Sequence, residues 1–317
     1  MALVMSGPEV EEPVEPEAAP VGSTLLVVAL ATVYLAWGST YLAVRVMVGE
    51  MPTLTGTGTR ALAAGALLGA VLIARRGPGR LRVTRAQLAG CTAIGLLLPV
   101  GGQGLVAVAE DRGAPSGLTA LLVAAVPLWV ACLRSLSGDR PARRSIAGVA
   151  LGFAGVAGLI VGEGGAGEVP TRPLLIVVVA SMSWALGTWL QPRLVLPPDP
   201  FTLVVYELLV GGTVLTALGL LRGERPAPAS YPTEAWAAWS FLVLVGSILA
   251  LTAYNWLLRS TSVSVVATYA YVNPAVAVFL GWLVLGEPIT LLTLVAAAVV
   301  VTGVGLVVSA ERRGRRS

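Results

Sequence analysis

The sequence contains no histidine and no lysine. Without histidine it lacks the side chain most used as a general base and metal ligand near neutral pH. Cysteine is nearly absent. Cys91 and Cys132 are the only two, and both lie in apolar runs, which excludes a disulfide framework or a cysteine-based metal site. Charge is scarce as well: Asp, Glu, Lys and Arg make up 12% of the chain, where a soluble domain carries roughly 25%. No nucleophile–base pair and no acidic cluster falls inside the apolar runs, so the expectation is a non-enzyme without metal or cofactor. All 21 cations are arginine, gathered at segment ends rather than in one patch. The basic balance therefore does not point to nucleic acid.

What the chain has in abundance is apolar length. Hydrophobic residues are 56% of 317, and mean hydropathy is +0.83, which marks an integral membrane protein by composition. Residues 1–23 stand apart. They hold five Glu, four Pro and no cation. Lacking the basic and apolar regions of a secretory signal, they read as a disordered acidic tail.

A helix needs roughly 20 apolar residues to cross the hydrocarbon core. Ten such segments are expected: 24–45, 54–74, 87–109, 115–136, 145–162, 172–191, 201–221, 235–258, 261–285 and 289–309. The fold class is thus all-α integral membrane. Arginine counts set the orientation. With the N-terminus inside, cytoplasmic connections hold fifteen arginines and outside connections four, so both termini are expected in the cytoplasm. Residues 310–317 form a basic cytoplasmic tail on this reading.

An ungapped offset of 147 residues superposes the two halves. Trp37 falls on Trp184, Thr55 on Thr202, Gly65 on Gly212, Arg75 on Arg222 and Arg112 on Arg259. Pro127 falls on Pro274, Pro141 on Pro288 and Gly158 on Gly305, while Arg60 falls on Glu207. Segment boundaries map in the same register. Two five-helix repeats result, at 24–162 and 172–309. An odd number of spans inverts the second in the membrane, an arrangement recurrent in transporters with a midplane site.

Polar side chains then gain a context. Trp37, Tyr41 and Arg45 share a face of the first segment by their four-residue spacing. Trp184 and Thr188 do so on the sixth with Ser181 and Gln191, Asn255 with Thr252 and Arg259 on the eighth, where Tyr254 is a further candidate, and Tyr269 and Asn273 on the ninth. Lipid cannot satisfy such groups, so they should face the bundle. For a single hydroxyl, helix-to-helix hydrogen bonding suffices. For aromatic and amide groups at repeat-related depths, a substrate cavity is the better reading. Pro99, among Gly101, Gly102 and Gly104, weakens the third helix beside Gln103; Pro127 and Pro274 break the fourth and ninth. Each proline reads either as a packing kink or as a flexing point that frees carbonyls for a ligand. Pro141 and Pro288 suit helix starts. The interior charges Arg60 and Glu207 are functional candidates by position. Glu207 is a candidate proton carrier and Arg60 a candidate for a substrate carboxylate. Structural satisfaction, including a mutual pair, is the competing reading for both. Gly148/Gly152 and Gly158/Gly162 suggest close packing of the fifth helix against the tenth or against a second protomer, which allows a homodimer.

The stretches AWGSTYLAVRV (36–46), TRALAAG (59–65), GGQGLVAVAEDRGAPSGLTALLVAAVPLWVA (101–131) and ATYAYVNPAVAVFLGWLVLGEPIT (267–290) resemble the EamA family of the drug/metabolite transporter superfamily. The resemblance covers residues 24–309. It implies ten helices in two inverted repeats and export of small metabolites, often amino acids. It also implies a central cavity lined by helices one, three, four, six, eight and nine, with five and ten peripheral. Relatives usually carry Asn where Gln103 stands, and an acid at Glu207 is not part of the pattern.

A weakly charged, aromatic lining suits neutral or zwitterionic metabolites. Sugar phosphates or nucleotide sugars would need several convergent cations. They, drug efflux and a non-transporting membrane sensor are the alternatives. The expected partners are a small-molecule substrate and the lipid bilayer. The lysine-free, Ala/Val/Gly/Arg-rich composition suggests a GC-rich bacterial gene and hence a plasma membrane.

Overall fold

The computed structural model describes residues 23–138, 142–165, 170–261, 263–266 and 269–314. The acidic tail and Pro141 lie outside the described residues. Among those described, the secondary structure is entirely helical, and seven helices are long and apolar enough to cross a membrane. They are α1 (Thr24–Glu50), α2 (Thr53–Arg76), α3 (Arg85–Asp111), α4 (Ser116–Leu136), α6 (Thr171–Arg193), α7 (Pro200–Leu221) and α8 (Thr233–Leu258). Three further described helices pack with them: α5 (Arg143–Gly165), α9 (Tyr269–Leu285) and α10 (Leu291–Gly314).

Helix starts carry four unpaired N–H groups that must find acceptors. Here several acceptors arrive from afar. The Glu224 carboxylate accepts from Leu54 N at 3.0 Å and Thr55 N at 2.7 Å, closing the start of α2. Glu287 accepts from Ser116 N at 2.8 Å, Gly117 N at 3.2 Å and the Ser116 hydroxyl at 2.9 Å, closing α4. Local caps serve α3, where Thr84 and Gln87 form a capping box, and α7, where Asp199 accepts from Phe201 N at 3.2 Å ahead of Pro200. Asp199 also binds Arg80 at 2.7 Å, tying the α2–α3 connection to α7.

Glycine sets the closest helix contacts. α2 packs along α7, and α5 along α10, more extensively than any other pair. A methyl at Gly212 would stand 2.7 Å from Leu62 N and 2.8 Å from Gly58 O. One at Gly303 would stand 2.5 Å from Gly152 N. Only glycine lets these backbones meet, the small-residue packing found between helices in lipid. α1 lies against α9, and α6 against α4. Large apolar side chains such as Leu35, Leu291, Phe279 and Trp282 face outward, where lipid tails cost them nothing.

Two helices change pitch midway. α3 is π-helical over Leu96–Gly104 and α8 over Leu242–Leu249. The expected unwinding at Pro99 is therefore a widened turn: the helix absorbs the missing donor by shifting register and stays continuous. Such π segments recur at functional sites. The proline expectations need two further corrections. The break in α4 falls at Ala124–Ala125, and Pro127 lies in the first turn of the second piece, Val126–Leu136. A proline fits there because first-turn N–H groups have no intrahelical partner. Pro274 sits inside α9, which runs unbroken from Tyr269 to Leu285.

Candidate functional site

Side chains from α1, α2, α3, α4, α6, α8 and α9 enclose a central cavity of about 80 Å³. One ordered water needs roughly 10–15 Å³, whereas sites that engulf drug-sized ligands run about 300–1,000 Å³. The cavity thus holds a few waters and is contracted relative to a metabolite. α5 and α10 contribute nothing to it, and α2 joins the expected lining through Arg60.

One wall is aromatic. Trp37 stands edge-on to Trp184, centroids 5.7 Å apart, and edge-on to Tyr269 at 5.4 Å. It is tilted over Tyr254 at 4.8 Å. Its indole N–H donates to Gly246 O at 3.3 Å, in the π segment of α8. Asn273, with its amide nitrogen turned to the main chain, donates to Tyr34 O at 3.1 Å and Tyr269 O at 3.2 Å, so it fastens α9 to α1 at the cavity edge.

Arg60 supplies the cavity's charge. It is 3% exposed. Its Nη2 donates to Gln103 Oε1 at 2.8 Å and its Nη1 to Ser247 Oγ at 3.3 Å, so one guanidinium bridges the π segments of α3 and α8. Its Nε is buried without an acceptor. Arg60 and Glu207 do not pair: Arg80–Asp199 is the one ion pair among the described residues.

The remaining candidates fall elsewhere. Thr188 and Asn255 line a second, larger cavity of about 600 Å³ between the ends of α4, α6 and α8 and the α6–α7 connection. There Gln191 Nε2 donates to Asn255 Oδ1 at 3.1 Å. Tyr254 lines neither space and touches lining residues of both. Its ring packs on Trp37 and Tyr269, and its hydroxyl sits beside Thr188 and Trp184. Glu207, at 0% exposure, lies outside both cavities beside the Asn255 amide. Of the fourteen residues singled out from sequence, Trp37, Tyr41, Arg60, Gln103, Trp184, Tyr269 and Asn273 meet at the central cavity. Pro99, Pro127 and Pro274 are not among its lining residues.

Three groups escaped sequence reading. Glu110 is 0% exposed, and neither carboxyl oxygen has a hydrogen-bond partner; Arg45 donates to its main-chain oxygen. The expected segment stops at 109, one residue short of Glu110. Ser247 is a lone hydroxyl in an apolar run. The capping role of Glu287 depends on a residue 171 positions away.

Among the described residues no group of three or more potential metal ligands occurs. The arrangement offers ligand enclosure. Comparison with known proteins points the same way. The "Uncharacterized inner membrane transporter YedA" of Escherichia coli K12 is 37% identical over 279 residues, 88% of this chain and 89% of that protein. The "Uncharacterized transporter YvbV" of Bacillus subtilis 168 is 26% identical over 284 residues, 88% and 90% of the two chains. The "Probable amino-acid metabolite efflux pump" of Salmonella typhimurium LT2 is 25% identical over 280 residues, 86% and 90%. One solved crystal structure shares the fold, with a TM-score of 0.63 at 18% identity over 89% of this chain and 96% of its own. The signature of the EamA-like transporter family matches twice, over residues 24–161 and 171–309. A glycine-packed helical bundle around an aromatic cavity is thus a membrane transporter rather than an enzyme, and the chain belongs to the EamA-like transporter family.

Proposed function

We propose that the chain exports small neutral or zwitterionic metabolites, amino acids among them, by alternating access around the central cavity. The observation that carries this reading is the closed aromatic layer. A contracted cavity lies on one side of Tyr254 and a 600 Å³ vestibule on the other. A solute must pass that layer, and the cavity must expand to hold it. A single cation, Arg60, lines the cavity, which weighs against sugar phosphates and nucleotide sugars.

The spans on this proposal number ten, in two inverted five-helix repeats at 24–162 and 172–309. The twofold family match and the π segments at corresponding places in α3 and α8 support it. Both termini lie in the cytoplasm of a bacterial cell, as the arginine bias favours, and the vestibule then faces inward. Pro99, Pro127 and Pro274 are the flexing points, and Glu207 carries the coupling proton. The printed name of the Salmonella relative supports amino acids as the solute class.

Counterflow in liposomes tests the reading. Labelled neutral amino acids, aromatic members included, should exchange saturably, and Trp37→Ala and Asn273→Ala should lose exchange. Absence of flux across the whole panel would withdraw the substrate class.

A further inference from the structure

We infer that the central cavity is a carboxylate receptor, with Arg60 as the counter-ion of the transported molecule; this rests on the transporter reading above and names its substrate class. A guanidinium carries five N–H donors and cannot shed its charge. Within the described residues two of Arg60's donors are engaged, both by neutral oxygens, Gln103 Oε1 and Ser247 Oγ. Nε is desolvated and unpaired. No carboxylate lies within ion-pair distance, since the described residues hold one ion pair and it is elsewhere. Glu110 and Glu207, the buried acids, are absent from the cavity lining.

A buried cation without an anion is costly, and membrane spans keep one where it serves a ligand or a pathway. The missing partner is supplied by a molecule entering the cavity. The fork of N–H groups selects a planar, bidentate acceptor, which a carboxylate is. The opposite wall selects the remainder. Trp37, Trp184 and Tyr269 line the cavity and take an apolar or aromatic body, and a cation such as an α-ammonium gains from an aromatic ring. An uncompensated Arg60 repels purely cationic drugs.

Binding also acts on the bundle. Arg60 links the π segments of α3 and α8 through weak neutral acceptors. A carboxylate competes for the same donors, loosens that link and gives the cavity a way to expand.

The test uses purified full-length protein in detergent and three matched probes: 3-phenylpropionate, its carboxamide, and phenethylamine. At tenfold saturation the carboxylate should raise Tm by roughly 2–4 °C, with the amide and amine near zero. Arg60→Gln should abolish the difference. Ser247→Ala, which removes only a neutral acceptor, should keep it, so a poorly folded Arg60→Gln protein leaves the proposal testable. Equal shifts for acid and amide, selectivity that survives Arg60→Gln, or no shift with any probe at tens of millimolar would each overturn the carboxylate site. Counterflow of an uncharged solute would then still uphold transport, and acid-selective binding without any flux would sink the transporter reading alone.

Discussion

Gly152 and Gly158 look alike in the sequence of α5, and the fold sets them apart. A methyl placed on Gly303 of α10 would lie 2.5 Å from Gly152 N, 2.6 Å from Gly152 Cα and 2.7 Å from Gly148 O. These are main-chain atoms of a helix, and no rotamer change moves them. Carbon atoms rest about 3.5–4.0 Å apart, so Gly303→Ala must separate α5 and α10 by close to 1 Å along their seam. Overpacking costs about 1–3 kcal/mol, and a backbone obstacle places this case in the upper half. At roughly 2–4 °C per kcal/mol, Tm should fall by about 4–12 °C, read by intrinsic tryptophan fluorescence during heating in detergent. Gly158 has nothing within 4 Å of its missing methyl. There Ala should leave Tm unchanged or raise it, by at most the ~1 kcal/mol difference in helix propensity. An unaffected Gly303→Ala protein would refute the backbone contact between α5 and α10. A loss at Gly158→Ala would show that this face is occupied, as it would be in a homodimer.

Other substitutions separate the remaining elements. Tyr254→Ala removes the ring between the two cavities and should produce a leak of small solutes through proteoliposomes; an unaltered permeability would locate the barrier elsewhere. Glu207→Gln should flatten the pH dependence of counterflow, and a profile that tracks the parent protein would end the proton-carrier role. Asp199→Ala loses both a helix cap and the Arg80 partner, for about 1–2 kcal/mol, whereas Arg80→Ala loses one half-exposed ion pair worth under about 1 kcal/mol. Equal Tm losses in the two would contradict the capping geometry. Trp37→Phe keeps an edge for Trp184 and Tyr269 but loses the donor to Gly246, so the fold should persist with about 1 kcal/mol lost while substrate KM rises.

What the sequence made legible follows from periodicity. Apolar runs of lipid-spanning length announce helices with little help from context, which is why seven of the expected segments fall on the spanning helices α1 to α4 and α6 to α8. The aromatic residues Trp37 and Trp184 stood out because lipid-facing positions have no use for a mid-span indole, and both line the central cavity. Legibility ended where the partner is remote. Nothing near Glu224 or Glu287 says that each closes a helix start about 170 residues away. Nothing near Thr188 or Asn255 says that Tyr254 shuts them off from Trp37. Spacing along one helix assigns a face and leaves the depth of that face to the neighbours that crowd it.

The π segments show a subtler limit. Leu96–Gly104 reads LLLPVGGQG, and the stretch 147 residues on, 243–251, reads VLVGSILAL. Side-chain identity is almost gone, yet both wind as π-helix. Pro99 falls on Gly246, and each weakens an α-helix by its own route. Proline withholds a donor and clashes with the previous turn, while glycine costs backbone entropy and removes the side chain. Gly246 also lets Thr40 approach, since its Cβ would stand 2.9 Å from the Thr40 methyl. A register shift at these two points turns Gln103 and Ser247 toward one guanidinium. Comparison by residue type misses a likeness of this kind, because what the two stretches share is instability of the α-helix. Exchanging Pro99 and Gly246 separately for Ala should restore α-helical pitch, part Arg60 from one competing neutral acceptor in each case, and raise carboxylate affinity. Unchanged affinity in both proteins would mean that the π turns do not hold Arg60 against these acceptors.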